Sequence, residues 1–297
     1  MSESRFTLEL PADYPLASVL AFHARDVAGI AERVSARRLE KGFVWLGEPA
    51  VLEIDFLPDR AEVLFAGEAE GAGDARGIKA RVAHMLGLTQ NVAAFEAAFG
   101  AHPQVGALIS RHPGLRIPQS ATPFEALSWA ITGQQISVAA ALSLRRKLIL
   151  ACGLRKGSGL ACYPDPVAVA ALGVEALRGC GFSAAKAQTL DALAGAIVSA
   201  RIVLPEPETA GAADALGEAL GALRGVGPWT RNYTLLRAYA AVDASLHGDV
   251  AVRRAIARID SAIAPLTEKT AQIWLAQFAP WRALLAVHLW ASVSTTA

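Results

Sequence analysis

The chain has 297 residues, 53% of them hydrophobic and 19% charged, with a formal net charge of +1. That length supplies the core of one large and one small domain, and the apolar fraction excludes a disordered chain. Mean hydropathy of +0.34 raises the question of a membrane. However, the longest uncharged stretch, Ala126 to Leu144, is interrupted by Gly133-Gln134-Gln135, which a lipid-facing helix does not tolerate cheaply. The opening Met1-Ser2-Glu3-Ser4-Arg5 lacks the basic-then-apolar profile of a signal peptide, so a cytoplasmic protein is expected, nucleoid-associated if bacterial. Cys152, Cys162 and Cys180 are widely spaced, and the six histidines form no ligand-like pair. Zinc and iron–sulfur frameworks are therefore not expected.

Along the chain, Phe6, Leu8 and Leu10 alternate with Thr7 and Glu9, the pattern of a half-buried strand. Leu16 to Arg33 reads as a helix. Leu52, Ile54 and Phe56 alternate with Glu53 and Asp55, and Pro58-Asp59 turns the chain into a further strand at Glu62–Phe65. Beyond about residue 78 the apolar spacing is helical, and alanine richness reinforces it. Ser110–Pro123 is a proline-punctuated connection, and Gly157–Pro166 and Pro205–Thr209 read as loops. The outline is α+β: a small sheet-and-helix domain followed by a large helical one. Charge is unevenly placed. Residues 108–156 carry seven Arg or Lys against Glu125 alone, and residues 221–260 carry six Arg against Asp243, Asp249 and Asp260. Such polarity fits a nucleic-acid-facing side and equally a solvated helix face.

The segment Leu223-Arg224-Gly225-Val226-Gly227-Pro228-Trp229-Thr230 carries most of the functional information. Gly225 and Gly227 permit positive φ on either side of a buried Val226, and Pro228 opens the next helix. Backbone amides gathered at a helix N-terminus receive a phosphate without side-chain charge, the logic of a DNA-binding helix-hairpin-helix. An ordinary helix–helix turn uses the same residues. Asp249 follows where the next helix starts. A carboxylate there caps the helix, and beside a phosphate clamp it could also stabilise positive charge on a sugar.

Taken with Pro113-Gly114-Leu115-Arg116-Ile117-Pro118, Gly133-Gln134-Gln135-Ile136-Ser137, Tyr163-Pro164-Asp165-Pro166, Trp229-Thr230-x-Asn232-Tyr233 and Pro280-Trp281-Arg282 through His288-Leu289-Trp290, this segment resembles the helix-hairpin-helix DNA glycosylases of base excision repair. The nearest type is DNA-3-methyladenine glycosylase II (AlkA). The resemblance implies an N-terminal antiparallel sheet-plus-helix (TATA-binding-protein-like) domain over residues 1–97. It also implies a helical domain containing the hairpin over 123–241, and a second helical subdomain from 98–122 and 242–297 that completes the active-site cleft. It implies a monofunctional enzyme that flips an alkylated purine out of double-stranded DNA and hydrolyses its N-glycosidic bond. Asp249 would stabilise the oxocarbenium-like transition state or activate water. Trp229, Tyr233, Trp290 and Phe22 would line the base pocket, attracting a cationic base by roughly 0.5–2 kcal/mol per contact. Gly225, Val226, Gly227, Thr230 and the wedge residue Gln135 would bind DNA. Trp129, Trp274, Trp281 and Trp45 are assigned to packing.

Trp229 stands where the lyase branch has its Schiff-base lysine, so no lyase chemistry is expected. No cofactor is required by this reading. The resemblance places a structural monovalent cation on the carbonyls of Gly221, Leu223 and Val226, and it implies a monomer that needs neither a membrane nor a nucleotide. The alternative is a non-catalytic helix-hairpin-helix DNA-binding protein.

Overall fold

The computed structural model describes residues 2–67, 72–156, 159–207, 209, 211–263 and 266–294. Its N-terminal part is a five-stranded antiparallel sheet in the order β1-β5-β4-β3-β2, formed by β1 (Ser2–Glu9), β2 (Glu32–Ser35), β3 (Arg38–Trp45), β4 (Glu48–Phe56) and β5 (Arg60–Gly67). The period-two pattern sets the register. Ala61, Val63 and Phe65 of β5 are buried on one face with Leu52, Ile54 and Phe56 of β4, beneath α1 (Leu16–His23) and α2 (Ala72–Met85).

Helix α1 is much shorter than the span Leu16–Arg33 expected from periodicity. It ends at His23, the Asp26 carboxylate accepts the Ala28 N–H at 3.1 Å, and Gly29 turns the chain at φ 59°. An Asx turn followed by a left-handed glycine competes successfully with helix. The chain then enters β2, an edge strand paired to β3.

The helical body comprises α3 (Val92–Phe99), α4 (Gly106–Ser110), α5 (Pro123–Gly133), α6 (Val138–Cys152), the short strands β6 (Arg155–Lys156) and β7 (Leu160–Ala161), α7 (Pro166–Gly179), α8 (Ala184–Val198), α9 (Ala212–Gly221), α10 (Pro228–Tyr239), α11 (Val250–Ile259), α12 (Glu268–Ala276) and α13 (Arg282–Ser294). Thr122, Ser137, Asp165, Ser183 and Thr267 cap their helices through side-chain oxygens, which is why these helices start where they do. Gly157–Pro166 is not wholly loop. Positions 157 and 158 lie outside the described residues, but Leu160–Ala161 pairs with Arg155–Lys156, and Tyr163 bridges to Phe43 of the sheet. Within Pro205–Thr209, position 208 lies outside the described residues, and the remainder is irregular as expected.

Two hydrophobic clusters build the body. One joins residues 92–117 to α10, α11, α12 and α13, and the other packs α5 through α9. Helix α10 contributes to both, through Tyr233 and Leu236 on one side and Ala238 and Tyr239 on the other. The hairpin that starts α10 therefore sits at the seam.

Where the sheet meets the body, four charged side chains are buried together. Lys41 Nζ donates to Glu32 Oε1 at 2.5 Å and to Glu125 Oε1 at 2.8 Å, and Arg145 Nη2 donates to Glu32 Oε2 at 3.0 Å and Glu125 Oε1 at 3.1 Å. Burial alone would raise both carboxyls. Arg145 and Lys41 nevertheless hold Glu32 well below the usual carboxylate range, and Lys41 with Arg145 holds Glu125 below it. This network corrects the reading of residues 108–156 as a basic face. Arg145 lies inside the network, Arg146 pairs with Asp26 at 2.5 Å, and Arg116 is buried, donating to the carbonyls of Gly87 and Gln90. Among the described residues no helix is long and apolar enough to cross a membrane.

Candidate active site

A cleft of about 1680 Å³ opens along the seam, lined by the hairpin, the ends of α1 and α5, and the starts of α6 and α11. Gly225 in the hairpin adopts φ 88°, and a Cβ there would meet Thr189 Oγ1 at 2.6 Å, so the position requires glycine for both conformation and space. Gly227 differs from expectation. Its φ is −84°, and a Cβ would meet nothing within 4 Å, so it leaves an open approach rather than a special turn. The Val226 N–H closes the hairpin on Leu223 O at 3.2 Å, and the helical ladder begins with Arg231 N–H to Gly227 O at 3.0 Å. The amides of Gly227, Trp229 and Thr230 precede that first helical bond and are the ones available to an anion.

Two of the hairpin residues expected to bind DNA turn their side chains inward. The Val226 side chain is buried, as the turn requires. Thr230 is buried too, and its hydroxyl accepts from Gln134 Nε2 at 2.8 Å, so only its backbone can face a ligand. Gln134 Nε2 also donates to Gly225 O at 2.8 Å, tying the end of α5 to the hairpin. Gln135, next along, is exposed at φ 54°, with exposed Ile136 and Val138 beside it on the cleft. A non-glycine residue held at positive φ costs of order 1–3 kcal/mol and marks a site worth functional attention.

Asp249 is the N-cap of α11. Its Oδ1 accepts from Ala251 N at 2.9 Å, Val252 N at 3.0 Å and the Trp290 indole Nε1 at 3.1 Å. Its Oδ2 accepts from the Trp229 indole Nε1 at 3.0 Å. The expected helix-cap role is present: Oδ1 serves the helix end, while Oδ2 has a single partner among the described residues. Trp229 and Trp290 thus act as donors to the carboxylate as well as rings of the cleft.

Trp229, Tyr233 and Arg237 recur every four residues along one face of α10. The rings of Trp229 and Tyr233 stack with centroids 5.2 Å apart, and Tyr233 and Trp290 tilt at 6.2 Å. These are contact distances for aromatic pairs, so the rings form a continuous wall rather than an open slot. Trp129 belongs to this wall, not to packing alone, because its indole donates to Tyr233 Oη at 3.1 Å and it lines the cleft.

Phe22 lines the cleft and carries two guanidiniums that sequence reasoning missed. Arg25 lies 3.9 Å from its ring centroid and Arg237 lies 4.4 Å from it. Arg237 is buried, with Nη1 donating to Pro118 O at 2.8 Å and Nε without a hydrogen-bond partner. Burial alone would raise the Tyr233 phenol, but Arg237 and Arg25 outweigh it and hold the phenol below its ordinary value. The aromatic surface expected to attract a cation therefore already carries positive charge. The spacing of Arg237 from Trp229 and Tyr233 was the available signal. Arg25 gave none, because its segment reads as helix.

Residues 128–280 match the family described as HhH-GPD superfamily base excision DNA repair protein, and residues 5–122 match the AlkA N-terminal domain. The first match covers more than half of the chain, which belongs to the HhH-GPD superfamily of base excision DNA repair proteins. Escherichia coli DNA-3-methyladenine glycosylase 2 is 30% identical over 188 residues, 63% of this chain and 63% of that protein, so the match spans less than two thirds of the relative. The 3-methyladenine DNA-glycosylase of Archaeoglobus fulgidus shares the fold with a TM-score of 0.81 at 21% identity, covering 96% of this chain and 97% of that one. The Schizosaccharomyces pombe 3-methyladenine DNA glycosylase Mag1, solved with abasic DNA, aligns with a TM-score of 0.56 at 25% identity over 66% of this chain and 95% of that one.

Proposed function

We propose that this protein is a monofunctional DNA glycosylase that removes alkylated purines of the 3-methyladenine type from duplex DNA. The observation that carries the reading is the Asp249 carboxylate on the cleft, with Oδ1 fixed by two amides and an indole and Oδ2 accepting from the Trp229 indole. A base inside the stack is out of reach, so the damaged nucleotide swings into the cleft. Gln135 enters the gap, and the hairpin amides hold a neighbouring phosphate. An amide fills less apolar space than an aliphatic wedge, and exposed Ile136 and Val138 supply what it lacks.

As the bond between C1′ and the base nitrogen lengthens, its electron pair leaves with the base, and an N-alkylated cationic purine departs neutral without a general acid. Positive charge then develops on C1′ and the ring oxygen, where Asp249 stabilises it. Water adds to C1′ and gives up a proton to the carboxylate or to solvent, leaving free base and an abasic sugar. Trp229 offers no amine for a covalent intermediate. The carbonyls of Gly221, Leu223 and Val226 would hold a monovalent cation. Those of Gly221 and Leu223 are neutral donors at or just past the end of α9, where the helix dipole is negative, and Leu223 O keeps a lone pair after accepting from Val226. Such a cation would add positive charge beside the bound phosphate.

The deciding experiment is release of free base from a duplex carrying 3-methyladenine, run with borohydride present. Base release without a trapped DNA adduct is expected. Duplex binding with no release would instead establish the non-catalytic DNA-binding protein, and a trapped adduct would establish a lyase.

A further inference from the structure

The two guanidiniums on the aromatic wall are not accounted for by the hydrolysis above. Arg25 Cζ lies 3.9 Å from the centroid of Phe22 and 5.2 Å from that of Trp129, whose indole donates to Tyr233. Its side chain is held by one hydrogen bond, Nε to the Phe22 carbonyl at 2.6 Å. Among the described residues no carboxylate pairs with it. Nearby arginines differ, since Arg145 is locked between Glu32 and Glu125 and Arg146 holds Asp26. Arg25 is half-exposed and follows the end of α1, so its long side chain can withdraw. Arg237 cannot, being buried and anchored on Pro118 O.

We infer that Arg25 is a specificity-determining residue, a charge gate on the aromatic wall that disfavours a cationic base relative to a neutral base of similar size. The inference rests on the reading of this cleft as a base pocket. A base seated against Phe22 and Tyr233 must displace or share the surface that Arg25 covers. A cationic purine meets that guanidinium and the fixed Arg237 behind it. A neutral purine with ring-nitrogen or oxo acceptors can instead take hydrogen bonds from the same donors. Two carboxylates line the cleft among the described residues, Asp249 and Glu268, and Glu268 is near Arg253 at 3.7 Å. The wall alone would favour cations, and Arg25 narrows that preference.

The test is single-turnover base release by the full chain from two duplexes, one carrying a 7-methylguanine, which is cationic, and the other a hypoxanthine, which is neutral. The parent protein is compared with Arg25→Gln, Arg25→Leu and Arg25→Lys. The gate predicts that the cationic-to-neutral rate ratio rises about tenfold in the Gln and Leu variants, the change that a cation–π-sized interaction produces. It also predicts that the ratio in the Lys variant stays within about threefold of the parent, since charge is retained. An unchanged ratio in Gln and Leu, or an equal rise in Lys, overturns the gate and leaves the glycosylase reading standing. If the parent protein releases neither base, the base-pocket reading fails and the gate fails with it. Gln decides the matter if Leu does not fold.

Discussion

Two groups of charged side chains flank Phe22 and His23, and they are built to opposite rules. In the junction network, Lys41, Arg145, Glu32 and Glu125 neutralise one another, and the second oxygen of Glu125 takes the Ala121 N–H at 3.0 Å. In the cleft, Asp249 and Arg237 both line open volume, and Asp249 Oδ2 accepts from the Trp229 indole. A closed set of charges fixes how the sheet sits on the helical body. A set that lines open volume instead is placed to act on something that enters.

If that contrast holds, damage to the closed set should appear as lost stability, and damage to the open set as lost rate. The largest effect is expected for Lys41→Met, which leaves two carboxylates facing one guanidinium. Removing one partner of a buried ionic group costs about 3–5 kcal/mol, measurable as a lower denaturant midpoint. A loss below about 1 kcal/mol would mean that the network is wet and the contrast false. Asp249→Asn should keep the fold, because an amide oxygen still caps α11, yet lose on the order of 10²–10³-fold in base release. Unfolding of this variant would put the residue on the structural side.

How much of this was readable beforehand follows the same division. The strands of β1, β4 and β5 follow from alternation, and Asp249, Trp229, Tyr233 and Trp290 from their order around the hairpin; all four lie on the cleft. The junction network was not readable, since Glu32, Lys41, Glu125 and Arg145 come from four distant points of the chain and meet only through tertiary packing. Arg25 was hidden by the same error that extended α1 to residue 33: an Asx turn and one glycine outweighed an apolar pattern. Charge counting failed where arginine side chains point inward, as Arg116 and Arg145 do.

His288 sharpens the comparison from a third position, as a buried titratable group on α13 two residues before Trp290. Burial, with a smaller push from His112, lowers its pKa to about 4. The folded state therefore holds it neutral while the unfolded chain binds a proton below about 6.5. Stability is then lost as pH falls from about 6.5 toward 4, by roughly 3 kcal/mol for this group. The depressed carboxyls of Glu32 and Glu125 act separately, losing their contribution only below about 4.5. His23 and His247, also lowered chiefly by burial, act in the same window, so His288→Leu should shallow the upper window without abolishing it and leave the lower one. A stability curve with the same slope between pH 6.5 and 4 would exclude His288 as a contributor.

The smallest effect tests which oxygen of Asp249 faces the reaction. Trp290→Phe removes one of three donors to Oδ1, whereas Trp229→Phe removes the donor to Oδ2. Both keep a ring on the wall, so their costs in packing are similar. A charged hydrogen bond is worth about 1.5–3 kcal/mol, and Oδ1 retains two amides that still fix its position. Losing Trp229's donation frees Oδ2 to rotate, so single-turnover release should fall about tenfold in Trp229→Phe and about threefold or less in Trp290→Phe. The reverse order would place Oδ1 against the sugar. The cap of α11 and the catalytic charge would then share one atom, and the separation of holding from acting would not extend inside this carboxylate.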